Sequence, residues 1–356
     1  MPLCSQPNKF SALQGNSIYL CAAMKRIFAC LILVAAVLAM IGVSSCTGNS
    51  GADDDTTEIK TSVITQKYPD FSADSAYDFI QKQVDFGYRI PGTQAHARCA
   101  DWLFAKLKMY CDTVYYQKAT AITWDKKTIP VYNIIGVFNP KAVQRGLWAS
   151  HWDSRPWADN DTTRKNDPID AANDGASGVG VLLELARNLK KNPPSYGIDI
   201  VFFDAEDYGK SEYENSYCLG SQHWAKTPHI PKYRAQFGVL LDMVGGKDAV
   251  FGREALSMQQ AGWVMNHTWA IADELGYNGT FSNETVPPIT DDHHYVFQGA
   301  QIPMIDIIQH DPARNTFAHY WHTHADNMDA VSKETLLKVG KTMSALMFNP
   351  PIQIQP

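Results

Sequence analysis

Apolar and polar residues follow one another along the chain in blocks that predict an α/β fold. Short runs rich in Val, Ile, Leu and Phe predict buried strands at residues 131–138, 146–151, 198–204, 237–243 and 303–308. Apolar residues at helical spacing predict helices at residues 74–86, 94–110, 178–191, 222–226, 257–275 and 332–347. Because strands that alternate with helices form mostly parallel sheets, we predict a three-layer α/β/α domain whose central sheet is covered by helices on both faces.

The strand at residues 198–204 runs into three acids, Asp204, Glu206 and Asp207. Such a strand ends at the carboxyl edge of its sheet, where open α/β sheets bind ligands. Side chains alternate in direction along extended chain, so one of the last two acids can face a metal ion while the other stays free to carry a proton. An acidic loop without a function is the alternative interpretation of this stretch alone.

Other predicted strands also end in acids or histidines. Because this occurs at several strand ends, simple turns do not explain the presence of these residues well. One strand ends at His151, which Asp153 follows closely, and another ends in Asp242. Asp174 lies just before a predicted helix, which it could also simply cap. Carboxylates and an imidazole from distant segments are ligands that suit zinc. Three histidines near the C-terminus are candidates for this role, and spacing does not choose among them: His319, His322 and His324.

The N-terminal region predicts export. Residues 24–26 are Met-Lys-Arg and precede an apolar run at residues 27–40, which is the order of a secretory signal, and small residues then lead to Cys46 in a pattern that resembles a bacterial lipoprotein signal. An uncleaved anchor helix is the alternative. Both interpretations place the domain outside the cytoplasm, and the first predicts an exported bacterial lipoprotein, acylated at Cys46, that faces the periplasm or the cell surface.

These features divide the chain into four parts. We interpret residues 1–23 as a misread extension, residues 24–45 as a lipoprotein signal peptide, residues 46–70 as a polar tether and residues 71–356 as one zinc-dependent catalytic domain.

Charge and cysteine content narrow the classes of function. The 356 residues carry a formal net charge of −6, which argues against a nucleic-acid partner. Beyond the leader, the cysteines are Cys99, Cys111 and Cys218. This sparse, odd set predicts neither a disulfide framework nor a zinc-thiolate site, although the first two could pair.

Taken in order, the motifs resemble those of the co-catalytic zinc aminopeptidase superfamily and, more narrowly, of its glutaminyl cyclase branch. The motifs are His-x-Asp, Asn-Asp-Gly-Ala-Ser-Gly, Asp-Ala-Glu-Asp, Leu-Leu-Asp and Trp-His-Thr-x-x-Asp-Asn. Four further segments resemble the cyclases: His-Trp-Asp-Ser-Arg-Pro at residues 151–156, Leu-Gly-Ser-Gln-His-Trp-Ala at residues 219–225, Thr-Asp-Asp-His at residues 290–293, and Trp321 directly before His322. Two features depart from the animal enzymes, because Asp306 occupies the place of a site histidine and no tryptophan follows Asp207 within ten residues.

The resemblance implies a set of site residues. The zinc ligands, for one ion per chain, would be Asp174, Asp207 and His322. Glu206 would be the general acid and base, with Asp242 and Asp291 as a hydrogen-bonded pair of acids beside the metal. The substrate would meet four further residues: Trp321, Asp306, His151 and Asp153.

The implied activity is cyclisation of an N-terminal glutamine on peptides and proteins to pyroglutamate, with release of ammonia, by a protein that we expect to be a monomer. An aminopeptidase is the rival interpretation, because His151 and Asp242 could complete a second metal site around a bridging Asp174. A lipoprotein that binds peptides without catalysis is a third class, but it would not need Glu206, which is present.

Overall fold

The structure, a computed structural model, describes residues 62–355. The predicted extension, the signal peptide and the lipidation site Cys46 lie outside the described residues, as does most of the predicted tether. The part of the tether that is described contacts the domain: the backbone amides of Thr65 and Gln66 donate to Asn349 Oδ1 over 2.8 and 2.7 Å. Within residues 62–355, no helix has the length and apolar character needed to cross a membrane.

Six strands form the central sheet, in the spatial order β1-β2-β4-β3-β5-β8. They are β1 (Thr113–Ile122), β2 (Thr128–Phe138), β3 (Arg145–His151), β4 (Gly197–Phe203), β5 (Phe237–Asp242) and β8 (Met304–Ile308). The β1-β2 and β2-β4 pairs are antiparallel, whereas β4-β3, β3-β5 and β5-β8 are parallel. Two further strands, β6 (Phe251–Glu254) and β7 (Phe281–Val286), form a separate small sheet.

Helices cover both faces of the central sheet. Among the described residues they are α1 (Ala73–Val84), α2 (Gln94–Tyr110), α3 (Ala176–Lys191), α4 (Leu219–Lys226), α5 (Ala255–Glu274), α6 (Asp292–Ala300) and α7 (Lys333–Phe348). Along β4, Ile200 and Phe202 enter the core shared with α1, α2, α3, α5 and α7, whereas Val201 and Phe203 enter the core shared with α4 and α6. Successive side chains of a strand point to opposite faces. The apolar run from Ile200 to Phe203 is therefore expected in a strand that is buried on both sides. The predicted three-layer α/β/α fold is confirmed.

The parallel register brings the polar strand ends to one edge of the sheet. His151, the last residue of β3, pairs with Phe203 at the end of β4, and Asp242 at the end of β5 pairs with Ile308 of β8. The start of α3 approaches this edge closely, because a Cβ atom on Gly178 would lie only 2.2 Å from the carbonyl oxygen of Leu241. A glycine is therefore required where the chain leaves the Asp174 loop and enters the helix.

The three cysteines of the domain are free thiols, and all are buried. The suggested pairing of Cys99 with Cys111 does not occur. Burial of Cys99 against the sheet and of Cys111 at the end of α2 explains their presence as small apolar core residues.

Candidate active site

A cavity of about 390 Å³ opens at the carboxyl edge of the central sheet. Seven of the residues that the sequence singled out line it: Asp174, Glu206, Asp207, Asp242, Asp291, Trp321 and His322. The structure therefore brings together side chains that come from widely separated segments of the chain.

Asp174, Asp207 and His322 form a compact set of possible metal ligands. The Nε2 atom of His322 lies 3.3 Å from Asp207 Oδ1 and 3.6 Å from Asp174 Oδ2, and one donor atom from each residue lies within 4.8 Å of the others. All three are buried, and Asp207 Oδ2 has no hydrogen-bond partner among the described residues. An unpaired buried carboxylate oxygen is costly, and two carboxylates with one imidazole suit zinc, so these residues fit that ion.

Arg155 and Asp159 orient two of these possible ligands. Asp159 Oδ1 lies 3.3 Å from the Nδ1 atom of His322 and accepts a hydrogen bond of 2.8 Å from Arg155 Nε. Arg155 Nη1 also donates to Asp207 Oδ1 over 2.9 Å. Carboxylates that bind the second nitrogen of a ligating histidine fix its ring and tautomer. No role was predicted for Asp159 from the sequence, because this residue, four positions after Arg155, belongs to no recognisable motif.

The loop that carries Asp174 is held in place by hydrogen bonds to Asp326. Both backbone amides of Asn173 and Asp174 donate to the buried Asp326 carboxylate, over 2.8 and 3.1 Å. Burial and, to a lesser extent, the nearby Asp174 carboxylate raise the pKa of Asp326 to about 8. Asn173 adds a second anchor through its side-chain amide, which donates to Tyr320 Oη over 3.1 Å. The ligand loop is thus fixed by a buried network rather than by the cap geometry that the sequence suggested.

A second group of possible ligands shares Asp174. His151 Nε2 lies 3.0 Å from Asp174 Oδ1 and 3.1 Å from Asp242 Oδ1. Its other ring nitrogen, Nδ1, lies 3.3 Å from Asp153 Oδ1. The donor atoms of His151, Asp174 and Asp242 also lie within 4.8 Å of one another. The arrangement therefore offers two overlapping ligand sets, joined through one bridging carboxylate.

Glu206 lies beside the first set and belongs to neither of these two overlapping ligand sets. The backbone amides of Glu206 and Asp207 donate to the two oxygens of Asp153, over 3.0 and 3.1 Å, and so hold the two acids in fixed orientations. Burial raises the pKa of Glu206 well above its ordinary value, and the adjacent Asp291 carboxylate adds to the shift. A carboxyl group with a raised pKa suits transfer of protons near neutral pH.

Asp242 and Asp291 both line the cavity, but no hydrogen bond joins their side chains in the described structure. Burial raises the pKa of Asp242 to about 7 and also raises that of Asp291. Asp291 caps α6 through the amide of Asp292, and its Oδ2 atom has no partner among residues 62–355. That these acids share a proton stays a prediction.

Three residues predicted to contact substrate lie behind the cavity wall. His151, Asp153 and Asp306 are at most 1% exposed. Both oxygens of Asp306 lack a hydrogen-bond partner among the described residues, and Asp306 Oδ2 lies 3.8 Å from His293 Nδ1. His293 lies in turn 3.4 Å from Glu254. A direct role of these three residues in substrate binding stays a prediction, whereas Trp321 lies at the cavity surface.

Aromatic and aliphatic side chains line part of the cavity. The ring of Trp321 stacks on His322 with 3.7 Å between centroids, and Phe317 packs against Trp321 at 4.5 Å. Ile289 and Tyr217 line the same cavity. Trp157 and Tyr208 pack against each other, with 5.4 Å between their ring centroids, and do not line the cavity. Phe317, Tyr217 and Ile289 were not predicted, because they stand in loops without a periodic pattern.

Fold and site together define a zinc-dependent enzyme of the aminopeptidase type. The chain belongs to peptidase family M28, whose family profile matches residues 133–347. The predicted relation to the zinc aminopeptidase superfamily is therefore confirmed.

Solved structures resemble this chain over most of its length. A Zn-dependent exopeptidase from Parabacteroides distasonis is 47% identical, with a TM-score of 0.78, over 80% of this chain and 100% of that one. A glutaminyl cyclase from Bacteroides thetaiotaomicron, bound to N-acetylhistamine, is 45% identical, with a TM-score of 0.77, over 80% of this chain and 99% of that one. The narrower resemblance to bacterial glutaminyl cyclases is thus confirmed.

Curated relatives are more distant. Aminopeptidase YwaD of Bacillus subtilis is 27% identical over 224 residues, which are 61% of this chain and 44% of that protein. The glutaminyl-peptide cyclotransferase of Boiga irregularis is 26% identical over 249 residues, which are 61% of this chain and 64% of that protein. The chain thus spans between about two fifths and two thirds of these relatives.

Proposed function

We propose that this chain is a glutaminyl-peptide cyclotransferase, which converts the N-terminal glutamine of peptides and proteins to pyroglutamate and releases ammonia. The observation that carries the proposal is the Glu206 carboxylate, which belongs neither to the set of Asp174, Asp207 and His322 nor to the set of His151, Asp174 and Asp242, and which lines the same cavity of about 390 Å³ as the first set. The similarity to a solved glutaminyl cyclase along nearly all of that chain supports it.

Asp174, Asp207 and His322 would hold one zinc ion per chain. Zinc, when bound, polarises the side-chain amide of the substrate glutamine and stabilises the charge that develops on its oxygen. Arg155 and Asp159 keep the ligand side chains in place through the contacts described above.

Glu206 moves the proton in this proposal. The α-amine of the substrate attacks the carbon of its own side-chain amide, so a new C–N bond forms and the bond to the amide nitrogen breaks. Glu206 accepts the proton that the amine loses and delivers it to the leaving nitrogen, which departs as ammonia. Asp242 and Asp291 share one proton beside it, because two close carboxylates do not both ionise readily.

The rest of the cavity would orient the substrate. Since the reaction is intramolecular, the protein gains most by holding the glutamine side chain folded toward its own amine. The packed rings of Trp321 and Phe317 and the side chain of Ile289 would provide an apolar wall for this purpose.

A zinc aminopeptidase is the second candidate function. It is favoured by one observation, the overlapping ligand set of His151, Asp174 and Asp242, which could hold a second metal ion next to the first. Two such ions would activate a water molecule as the nucleophile.

The two functions are separated by a pair of assays on the purified protein. One follows ammonia release and pyroglutamyl formation from a peptide that begins with Gln, and the other follows amino-acid release from a peptide that begins with Leu. The cyclotransferase proposal expects the first activity and essentially none of the second. Leu release by the wild-type protein, with no ammonia from the Gln peptide, would refute it.

We also propose that the protein is exported, anchored in a bacterial membrane through a lipid on Cys46, and monomeric, with its catalytic domain in the periplasm or at the cell surface. The order of basic residues, apolar run, small residues and cysteine at residues 24–46 supports the anchor. Its substrates would then be peptides and proteins that are themselves outside the cytoplasm.

A further inference from the structure

A buried thiol contacts the carboxylate that we place at the centre of the chemistry. Cys218 Sγ lies 3.2 Å from Glu206 Oε1 and 3.9 Å from Asp291 Oδ1. The Cys218 side chain is fully buried. Within residues 62–355 it is the one side-chain donor to the Glu206 carboxylate, so Glu206 Oε2 has no such partner from the described chain.

The backbone around Cys218 fixes the thiol in this place. Cys218 adopts a left-handed conformation, with φ of 58°, directly before α4. Its amide donates to the carbonyl oxygen of Glu206 over 2.9 Å, and the next two amides, of Leu219 and Gly220, donate to Ala205 and Asp204. Three consecutive hydrogen bonds thus join the start of α4 to the loop that carries Glu206. A residue with a Cβ atom is strained in this conformation, so the local hydrogen bonds, rather than the intrinsic preference of the residue, set the position of the thiol.

The environment keeps this thiol protonated. Burial raises the pKa of Cys218 well above its ordinary value, and the neighbouring carboxylates of Glu206 and Asp292 raise it further. A protonated thiol is a weak hydrogen-bond donor and a poor nucleophile. The contact with Glu206 is therefore a hydrogen bond from S–H to a carboxylate oxygen.

We propose that Cys218 is a positioning residue for the cyclisation: its thiol donates to Glu206 Oε1, holds the carboxylate in one rotamer, and leaves Oε2 to exchange the proton with the substrate amine and the leaving nitrogen. This inference rests on the proposed function for its role in turnover, but the hydrogen bond itself does not. Cys218 acts through Glu206 and makes no contact with substrate.

Infrared spectroscopy of the full chain tests the hydrogen bond independently of activity. The difference spectrum between the wild type and Cys218→Ala isolates the S–H stretching band of this thiol. The matched control is Cys99→Ala, which isolates the band of a buried thiol on α2 that has no hydrogen-bond partner in the described structure. We expect the Cys218 band at lower frequency than the Cys99 band, and we expect it to move toward the Cys99 band in a Glu206→Ala background. Coincident bands would overturn the proposal.

Steady-state kinetics with a Gln peptide then test the role in turnover. Loss of one hydrogen bond to a carboxylate predicts a fall in kcat of about tenfold for Cys218→Ala, with little change in KM. Cys218→Ser keeps a donor of similar size and should recover most of kcat, and Cys99→Ala should match the wild type. An unchanged kcat in Cys218→Ala, or an equal loss in the Ala and Ser variants, would refute positioning through the donor. A wild type that releases no ammonia would refute the proposed function instead, and the infrared bands would still decide whether the hydrogen bond exists.

Discussion

Asp174 and His151 are in direct contact, with Asp174 Oδ1 3.0 Å from His151 Nε2. The other oxygen of Asp174, Oδ2, faces His322 Nε2 at 3.6 Å. One carboxylate therefore stands between two imidazoles, one from each of the two ligand sets. In the cyclotransferase proposal Asp174 binds one metal ion, whereas in the aminopeptidase alternative it bridges two.

The first prediction concerns metal content. We expect one tightly bound zinc ion per purified chain, because the cyclotransferase proposal uses only Asp174, Asp207 and His322. His322→Ala should abolish zinc binding. His151→Ala should keep the full content, since in this proposal His151 pairs with Asp242 and not with metal. The measurement is elemental analysis after dialysis against metal-free buffer.

Two zinc ions in the wild type, reduced to one in His151→Ala, would favour the aminopeptidase. Exhaustive chelation gives a second check. It should abolish turnover and added zinc should restore it, because the polarising charge on the substrate amide is lost with the ion. Turnover that survives chelation would exclude the metal mechanism.

The second prediction concerns Glu206. Glu206→Gln should lower kcat for the Gln peptide by a factor of about 10² to 10⁴, the usual effect of losing general acid and base assistance. The substitution is nearly isosteric, and the Asp153 contacts use backbone amides, so zinc content should equal that of the wild type. A variant that cyclises at the wild-type rate would remove Glu206 from the mechanism and make Asp242 or Asp291 the next candidate.

The sequence predicted the central elements because their signals are local. The run from Ile200 to Phe203 is apolar throughout and ends at Asp204, which is typical of a strand buried on both faces. Helix α2 was predicted with the bounds Gln94–Tyr110 that the structure has, since Thr93 caps its start. Strand β1 was missed, because Thr113–Ile122 is an edge strand with Gln, Lys and Thr among its residues. Its pairing with β2, not its own pattern, stabilises it.

The functional site likewise contains some residues that the sequence could predict and others that it could not. Acids at strand ends could be found because the edge of a parallel sheet is a known place for ligands. The partners that orient them, such as Asp159 and Cys218, come from loops and a helix start, and their contacts depend on tertiary packing. Asp153 is an example: the resemblance implied a contact with substrate, which stays a prediction, and only the structure shows that its oxygens accept hydrogen bonds from the amides of Glu206 and Asp207.

The third prediction concerns folding. Gly178→Ala should lower the free energy of unfolding by about 3 kcal/mol, because its Cβ atom would meet the Leu241 carbonyl at 2.2 Å and backbone would have to move. Gly279→Ala is the control, since no atom lies within 4 Å of a Cβ there. It should change stability by less than about 0.5 kcal/mol. Urea titration followed by circular dichroism measures both, and equal stabilities would contradict the close approach of α3 to β5.

The fourth prediction concerns the anchor. Cys46→Ala should accumulate as an unprocessed precursor or lose membrane association, because the lipid would be attached to that thiol. Intact-mass analysis of native protein should show a chain that begins at Cys46 with added acyl groups. A native chain that still carries residues 24–45 would favour the uncleaved anchor helix.

The last prediction concerns the carboxylate behind His322. Asp159→Asn should weaken zinc binding by about 10- to 100-fold, because the amide no longer supplies a charged acceptor for His322 Nδ1 or for Arg155. The chain offers a matched control in Asp161→Asn, which also disturbs an aspartate–histidine contact, that of Asp161 with His324 at 2.6 Å, outside the ligand set. Competition with a chromophoric chelator measures both affinities. We expect Asp159→Asn to lose zinc at chelator concentrations at which Asp161→Asn and the wild type keep it. Equal affinities in all three proteins would mean that the Asp159 contact does not orient His322, whereas equal losses in both variants would point to a general effect of charge in this loop.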